Sequence, residues 1–72
     1  MRSYHHIATT VEIGWPNGNT YAVAFLGPSW EREVKIFCNG EVMKHYKKSM
    51  GKPCKNRAMI LIGLAIAEKS EA

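Results

Sequence analysis

A chain of 72 residues has room for one small domain, spanning residues 1–72, that buries only about 60% of the surface its unfolded form exposes. With 46% hydrophobic and 22% charged residues, the composition is typical of a globular protein and excludes a disordered one. The longest apolar run, Ala58 to Ala67, is too short for a bilayer-spanning helix, and no apolar leader is visible. We therefore expect no membrane partner and a cytoplasmic location.

The N-terminal third of the sequence predicts a β-hairpin. Apolar and polar residues alternate from Ile7 to Ile13, which is the period of a strand with one buried face. Turn-forming residues follow at 15–19, and alternation resumes from Thr20 to Leu26. In this second strand the residues predicted to share the buried side are Tyr21, Val23 and Phe25.

A short connection, predicted as one helical turn capped by Ser29, leads into a second hairpin. Asn39-Gly40 separates two alternating segments, Glu33–Cys38 and Glu41–Tyr46, and this dipeptide favours a two-residue type I′ turn. The turn fixes a register that places Lys35 opposite Lys44. The residues predicted to face the core are Val34, Ile36, Cys38 and Met43, and those predicted to face away are Lys35, Phe37, Val42, Lys44 and Tyr46.

The C-terminal third predicts the helix of the domain. Gly51 and Pro53 break the segment before it, and Asn56 is the predicted N-cap of a helix from Arg57 to Lys69. The predicted fold class is α+β, a small antiparallel sheet of three to four strands in ββββα order packed against one C-terminal helix.

This helix has apolar residues on two sides. Met59, Ile62 and Ile66 cluster on one side, and Ile60, Leu61 and Leu64 on nearly the opposite side. A helix that covers one sheet needs a single apolar face. The second face predicts either a cover by a loop carrying Trp15 or Trp30, or a partner surface that includes a homodimer contact. The predicted interface residues are Ile60, Gly63, Leu64 and Ala67.

Positive charge is concentrated in one segment. Residues 44–57 hold six of the ten lysines and arginines and no acid, whereas the rest of the chain holds four cations and all six glutamates. Such asymmetry is typical of a surface for a polyanion. Lys55 and Arg57 flank the predicted helix start, where a cation is disfavoured by up to about 1 kcal/mol unless an anion binds.

The predicted function is non-catalytic nucleic-acid binding, with DNA, RNA or an acidic protein surface as the partner. Exposed aromatic rings beside the cations would supply stacking for bases. The predicted contact residues are Lys35, Phe37, Lys44, Tyr46, Lys47, Lys48, Lys52, Lys55 and Arg57. The alternative is a protein-binding module or small inhibitor protein that acts through the C-terminal helix face and the two tryptophans, Trp15 and Trp30, with a homodimer as one form of it. A lysine run can also be only a solvated surface.

Catalytic and metal-binding patterns are weak. The chain has no aspartate, scattered glutamates and no glycine-rich phosphate loop, so we expect no enzyme activity and no cofactor. Cys38 and Cys54 are separated by fifteen residues, which is not a metal or redox spacing. His5, His6 and His45 complete the possible zinc ligands, but adjacent residues of a strand point to opposite faces. We therefore expect no metal.

From Gly27 to Ala67 the chain resembles the C-terminal part of a double-stranded-RNA-binding domain. The shared features are Gly27-Pro28 before a strand, alternating Val34 and Ile36, Gly40 in a turn, Gly51 before a basic stretch, and Lys52, Lys55 and Ala58 opening an apolar helix. The resemblance implies that the cations at this helix start straddle phosphates. The chain departs from the family in its N-terminal strand pattern, where the family has a helix, and in Cys54-Lys55-Asn56, where the family tends to have Ser-Lys-Lys. It is also similar to three-stranded sheets with a following helix that read DNA through the sheet.

Overall fold

The computed structural model describes residues 8–47 and 52–70. Its strands are β1 (Ala8–Gly14), β2 (Thr20–Leu26), β3 (Glu33–Cys38) and β4 (Glu41–Lys47), and its helix is α1 (Lys55–Ser70). The strands form one antiparallel sheet in the order β1-β2-β3-β4, so each strand pairs with its neighbour in the chain. The predicted α+β class and ββββα order are confirmed, and the sheet does not close into a barrel.

The two hairpin turns lie at the same end of the sheet and are joined by one side chain. Asn39 has φ 52° and Gly40 has φ 92°, which confirms the predicted turn with positive φ at both central residues. The Asn39 amide accepts a hydrogen bond from the Thr20 N–H at 3.0 Å and donates one to Asn19 Oδ1 at 3.1 Å. We call this the turn end of the sheet. The opposite end, where β4 finishes, is called the Lys47 end.

The predicted register of the second hairpin holds only for the first two pairs after the turn. Beyond them a β-bulge makes Met43 an extra residue on β4, so that Lys44 pairs with Ile36 and His45 pairs with Lys35. The predicted pairing of Lys35 with Lys44 is therefore wrong.

The bulge also exchanges the faces of the second half of β4. An uninterrupted strand would turn His45 toward the helix and Tyr46 away from it. In the structure Met43 and Tyr46 both pack against the core, and His45 is exposed. The bulge thus packs the Tyr46 ring against the core in place of the His45 imidazole, which has less apolar surface. Lys44 lies on the helix side with Tyr46, so the predicted face shared with Lys35 is wrong.

The hydrophobic core lies between α1 and one face of the sheet. The sheet contributes the buried side chains Tyr21, Val23, Phe25, Val34 and Ile36, and the helix contributes Ala58, Leu61, Ile62 and Ala65. The four helix positions follow the i, i+3, i+4, i+7 spacing of a single stripe. Two of the four are alanines, so the buried stripe does not run along the row of the largest apolar side chains. Leu61 is therefore buried and Met59 is 43% exposed, the reverse of the predicted faces.

Both predicted helix caps are wrong. Helix α1 begins at Lys55, and the N–H of Ala58 donates to the carbonyl of Cys54 at 3.0 Å. The N–H of Arg57 donates to Cys54 Sγ at 3.5 Å, so a sulfur holds the position that an oxygen usually holds, and Asn56 lies within the first turn. The turn between β2 and β3 is a 3-10 turn at Ser29–Glu31, preceded by Pro28 rather than capped by Ser29.

Two isoleucines on α1 provide a matched test of this packing. Ile62 is fully buried, whereas Ile60 is 58% exposed. We expect Ile62→Ala to lower the free energy of unfolding by about 2–5 kcal/mol, because it opens a cavity in the core. Ile60→Ala, with the same change in helix propensity, should alter it by less than about 0.5 kcal/mol. Urea denaturation measures both. Equal losses would contradict the observed orientation of the helix.

Candidate functional site

The direction of α1 determines which residues meet at each end of the molecule. Ile66 and Lys69, near the end of the helix, line a cleft with Tyr21, Cys38 and Met43, which are residues of the turn end. The helix is about 24 Å long. Its first turn therefore lies toward the Lys47 end of the sheet.

Four of the predicted contact residues belong to the stretch from the end of β4 to the first turn of α1. They are Lys47, Lys52, Lys55 and Arg57, and the first turn of α1 contains no acidic residue. Lys47 pairs with Glu33, so it lies on the sheet face away from α1 with His45. In residues 8–47 and 52–70 the two ion pairs within 4.0 Å are Lys44–Glu68 and His45–Glu33, so none of the four cations is paired with a described carboxylate. Lys48 also belongs to the predicted set, but it lies outside the described residues.

Lys44 and Tyr46 do not belong to that group, because both contact Glu68 near the end of α1. Lys44 Nζ lies 3.0 Å from Glu68 Oε1, and the Tyr46 hydroxyl donates to the same oxygen at 3.1 Å. These two hydrogen bonds, from Lys44 and then from Tyr46, hold the pKa of Glu68 below its usual value. Partial burial, followed by the bond to Glu68, raises the pKa of Tyr46. The charge of Lys44 is therefore compensated within the fold.

Lys35 and Phe37 lie on the sheet face away from the helix. Their neighbours on β2 are Ala24 and Ala22, and both side chains are half-buried. The eight described residues of the predicted set thus fall into three groups. Lys35, Phe37 and Lys47 lie on the open sheet face, Lys44 and Tyr46 lie against the end of α1, and Lys52, Lys55 and Arg57 lie in or just before the first turn of α1.

The predicted partner face of the helix is open. Ile60 is 58% exposed and Leu64 is 46% exposed, and Ala67 is exposed as well. Gly63 is half-buried, and a Cβ added to it would meet no atom within 4 Å. No loop of the described chain covers Ile60 or Leu64, so the predicted cover by a tryptophan loop is wrong.

The two tryptophans have different environments, which the sequence could not separate. Trp15 packs edge-on against Tyr21, with ring centroids 5.8 Å apart, at the border of the core. Trp30 is 80% exposed and stands in the 3-10 turn at the Lys47 end, beside Lys47 and Pro28. The sequence left open whether Trp30 is a core or a contact residue, and the structure exposes it. The signal for exposure was its place in a short polar turn after Gly27-Pro28, where little apolar surface is close enough to cover a ring.

The remaining candidate ligands are dispersed. Cys38 lies at the turn end and Cys54 at the start of α1, and both are free thiols. His45 contacts Glu33 at 2.8 Å, while His5 and His6 lie outside the described residues. Among the described residues, no three histidine, cysteine or acidic side chains gather as a metal site. None of the helices in this part of the chain is long and apolar enough to cross a membrane.

No protein-family model, curated protein or solved structure matches the chain. The resemblance to a double-stranded-RNA-binding domain thus receives no support from these comparisons. The described N-terminal residues Ala8–Gly14 form a strand, where that family has a helix.

The contacts of Glu68 predict which lysine substitution changes its pKa. Lys44→Gln should raise the pKa of Glu68 toward the usual glutamate value, because it removes the larger of the two hydrogen bonds that lower it. Lys69→Gln is the matched control, since no ion pair of Lys69 is found among the described residues. NMR titration of the side-chain carboxyl measures the shift.

Because the pKa of Glu68 is lowered in the folded chain, the free energy of unfolding depends on pH. Below its usual pKa, Glu68 binds more protons in the unfolded chain than in the folded one, so its contribution is fully present above that value. The contribution is lost as the pH falls through the folded pKa. An equal response of Glu68 to both lysine variants would contradict the contact with Lys44.

Proposed function

We propose that the chain is a non-catalytic nucleic-acid-binding protein that contacts phosphates through Lys47, Lys52, Lys55 and Arg57. The proposal is supported by one observation: the four cations follow one another from the end of β4 to the first turn of α1, and none forms an ion pair within 4.0 Å with a carboxylate of the described residues. Charges without compensation in the fold remain available for an anion, and an array of them suits a polyanion. Lys48, between them in sequence, adds to the same segment.

The helix start adds a second source of positive potential. Backbone N–H groups of the first turn and the helix dipole favour an anion there. The N–H groups of Arg57 and Ala58 are used by Cys54, whereas the first turn has no glutamate that would neutralise its potential. The cations of this turn are therefore intrinsically unfavourable unless an anion binds, which supports a phosphate contact.

The proposed contact surface is narrower than the one the sequence predicts. Lys44 is left out because Glu68 compensates its charge, and Tyr46 is left out because its ring packs against the core. Lys35 and Phe37 are left out because they lie on the open sheet face, beside the ion pair of His45 with Glu33. We further propose a cytoplasmic location, where Cys38 and Cys54 stay reduced.

Salt dependence tests the proposal directly. Binding to duplex and single-stranded oligonucleotides should weaken steeply with salt, with a slope of log affinity against log salt of about −3 to −4 for four phosphate contacts. We expect Lys52→Gln/Lys55→Gln to reduce the magnitude of this slope by about 2. Fluorescence anisotropy of a labelled oligonucleotide at several salt concentrations measures the slope.

The matched control removes the same charge elsewhere. Lys35→Gln/Lys69→Gln changes two lysines that lie on the open sheet face and near the end of α1. Its slope should stay close to that of the unmodified chain. Undetectable binding at low salt would refute nucleic-acid binding, and equal effects of the two double variants would refute the assignment to the Lys47 end.

A second candidate function is supported by the exposed helix face. Ile60 and Leu64 are large apolar residues one turn apart, and Met59 beside them is 43% exposed. An apolar row of this kind is typical of a protein-binding surface, and Gly63 leaves room for a close helix approach. We propose self-association through this face as the alternative to a nucleic-acid partner.

Self-association makes a distinct prediction. The chain should sediment as a dimer at high protein concentration, and Ile60→Asp should shift it to the monomer because a carboxylate would be buried in the contact. Lys52→Gln, at the other functional surface, should leave the dimer intact. Sedimentation equilibrium at several concentrations distinguishes these states. A monomer at every concentration would exclude this candidate.

A further inference from the structure

The exposed ring of Trp30 borders a cleft at the Lys47 end of the sheet. The cleft is open to solvent and has a volume of about 580 Å³. Leu26 and Pro28 give it apolar surface, Glu31 and Glu33 give it two carboxylates, and Lys47 gives it one cation. The cleft thus places an aromatic ring near Lys47, which is one of the four cations proposed above for phosphates.

The backbone that carries Trp30 is tightly closed. The N–H of Glu31 donates to the carbonyl of Pro28 at 2.9 Å. Gly27 has φ +80°, and a Cβ at this position would lie 2.9 Å from the carbonyl oxygen of Glu31, so a side chain would not fit without displacing the turn. The ring is therefore presented from a fixed turn, and a planar group can stack on it with little further ordering of the backbone.

The polar groups of the cleft differ in whether they already have a partner among the described residues. Glu33, which also borders the cleft, places its Oε1 2.8 Å from Nε2 of His45. Glu31 has no ion pair with a described cation, so its carboxylate can accept hydrogen bonds from a ligand. Lys47 supplies a charge for one phosphate. A flat ring with an amino group and an attached phosphate would use all three features.

We propose that this cleft holds one unpaired base of a single-stranded nucleic acid, stacked on Trp30, and that it prefers cytosine to thymine. Cytosine has an N4 amino group that donates to a carboxylate, whereas thymine presents the O4 acceptor in the same place. Stacking on an aromatic side chain requires a base that is free of its duplex partner. This inference rests on the proposed function and adds the form of nucleic acid that the protein selects.

The test uses Trp30 as its own reporter. The chain has two tryptophans, so Trp15→Phe leaves Trp30 as the one source of tryptophan emission. This variant is titrated at low salt with oligo(dC), oligo(dT) and a mixed duplex of equal length, about 12 nucleotides. We expect oligo(dC) to quench the emission and to bind more tightly than oligo(dT).

Two further variants separate the parts of the cleft. Trp30→Ala should weaken oligo(dC) binding roughly tenfold and leave duplex binding unchanged, because only the single strand stacks. Glu31→Gln should reduce the difference between oligo(dC) and oligo(dT), since an amide both donates and accepts. The ring of Trp30 is 80% exposed, so the alanine variant should keep the unfolding midpoint of the parent chain.

The outcomes distinguish the cleft from the proposed function. If no oligonucleotide binds, both are overturned. If oligonucleotides bind in a salt-dependent way, but Trp30 emission is unchanged and Trp30→Ala binds oligo(dC) normally, only the cleft assignment is overturned. An arginine-rich peptide is titrated in parallel. Quenching by this peptide without quenching by oligonucleotides would assign the cleft to a basic protein and overturn the inference.

Discussion

The packing of one helix stripe against one face of the sheet is the contact on which the rest of the structure depends. The buried stripe of α1 is narrow and includes two alanines, so the helix covers that face with only part of its circumference. No second layer is present in the described chain. Among residues 8–47 and 52–70, no further helix or strand covers the far side of the helix or the open face of the sheet.

The position of α1 on the sheet also determines which charged side chains are paired. Glu68 lies where the end of α1 passes over β4, and it compensates Lys44 while accepting the hydroxyl of Tyr46. No acidic residue lies in the first turn of the helix, so no glutamate of that turn compensates Lys55 or Arg57. The asymmetry seen in the sequence thus becomes an asymmetry between the two ends of one helix.

Most of the fold could be predicted from local patterns, and the differences have local causes. Strand alternation and the Asn39-Gly40 turn were sufficient for all four strands, because period and turn chemistry are properties of adjacent residues. The bulge at Met43 was missed, since it depends on which aromatic or imidazole ring the core can accept. The cap was missed because Cys54 is an uncommon capping residue. Trp30 could not be distinguished from Trp15 without knowing which turn lies over the core.

The nearest-neighbour order of the strands has a consequence for how the chain folds. Each hairpin closes a short loop, so most strand pairing requires little loss of chain entropy. The contacts of α1 with β1 and β2 join residues much further apart in sequence. We expect the two hairpins to form early and the docking of the helix to be the slow, rate-limiting closure, because the transition state must bring the two ends of the chain together. The Asn39 side chain, which links the two hairpins, would then help to hold the sheet assembled before the helix arrives.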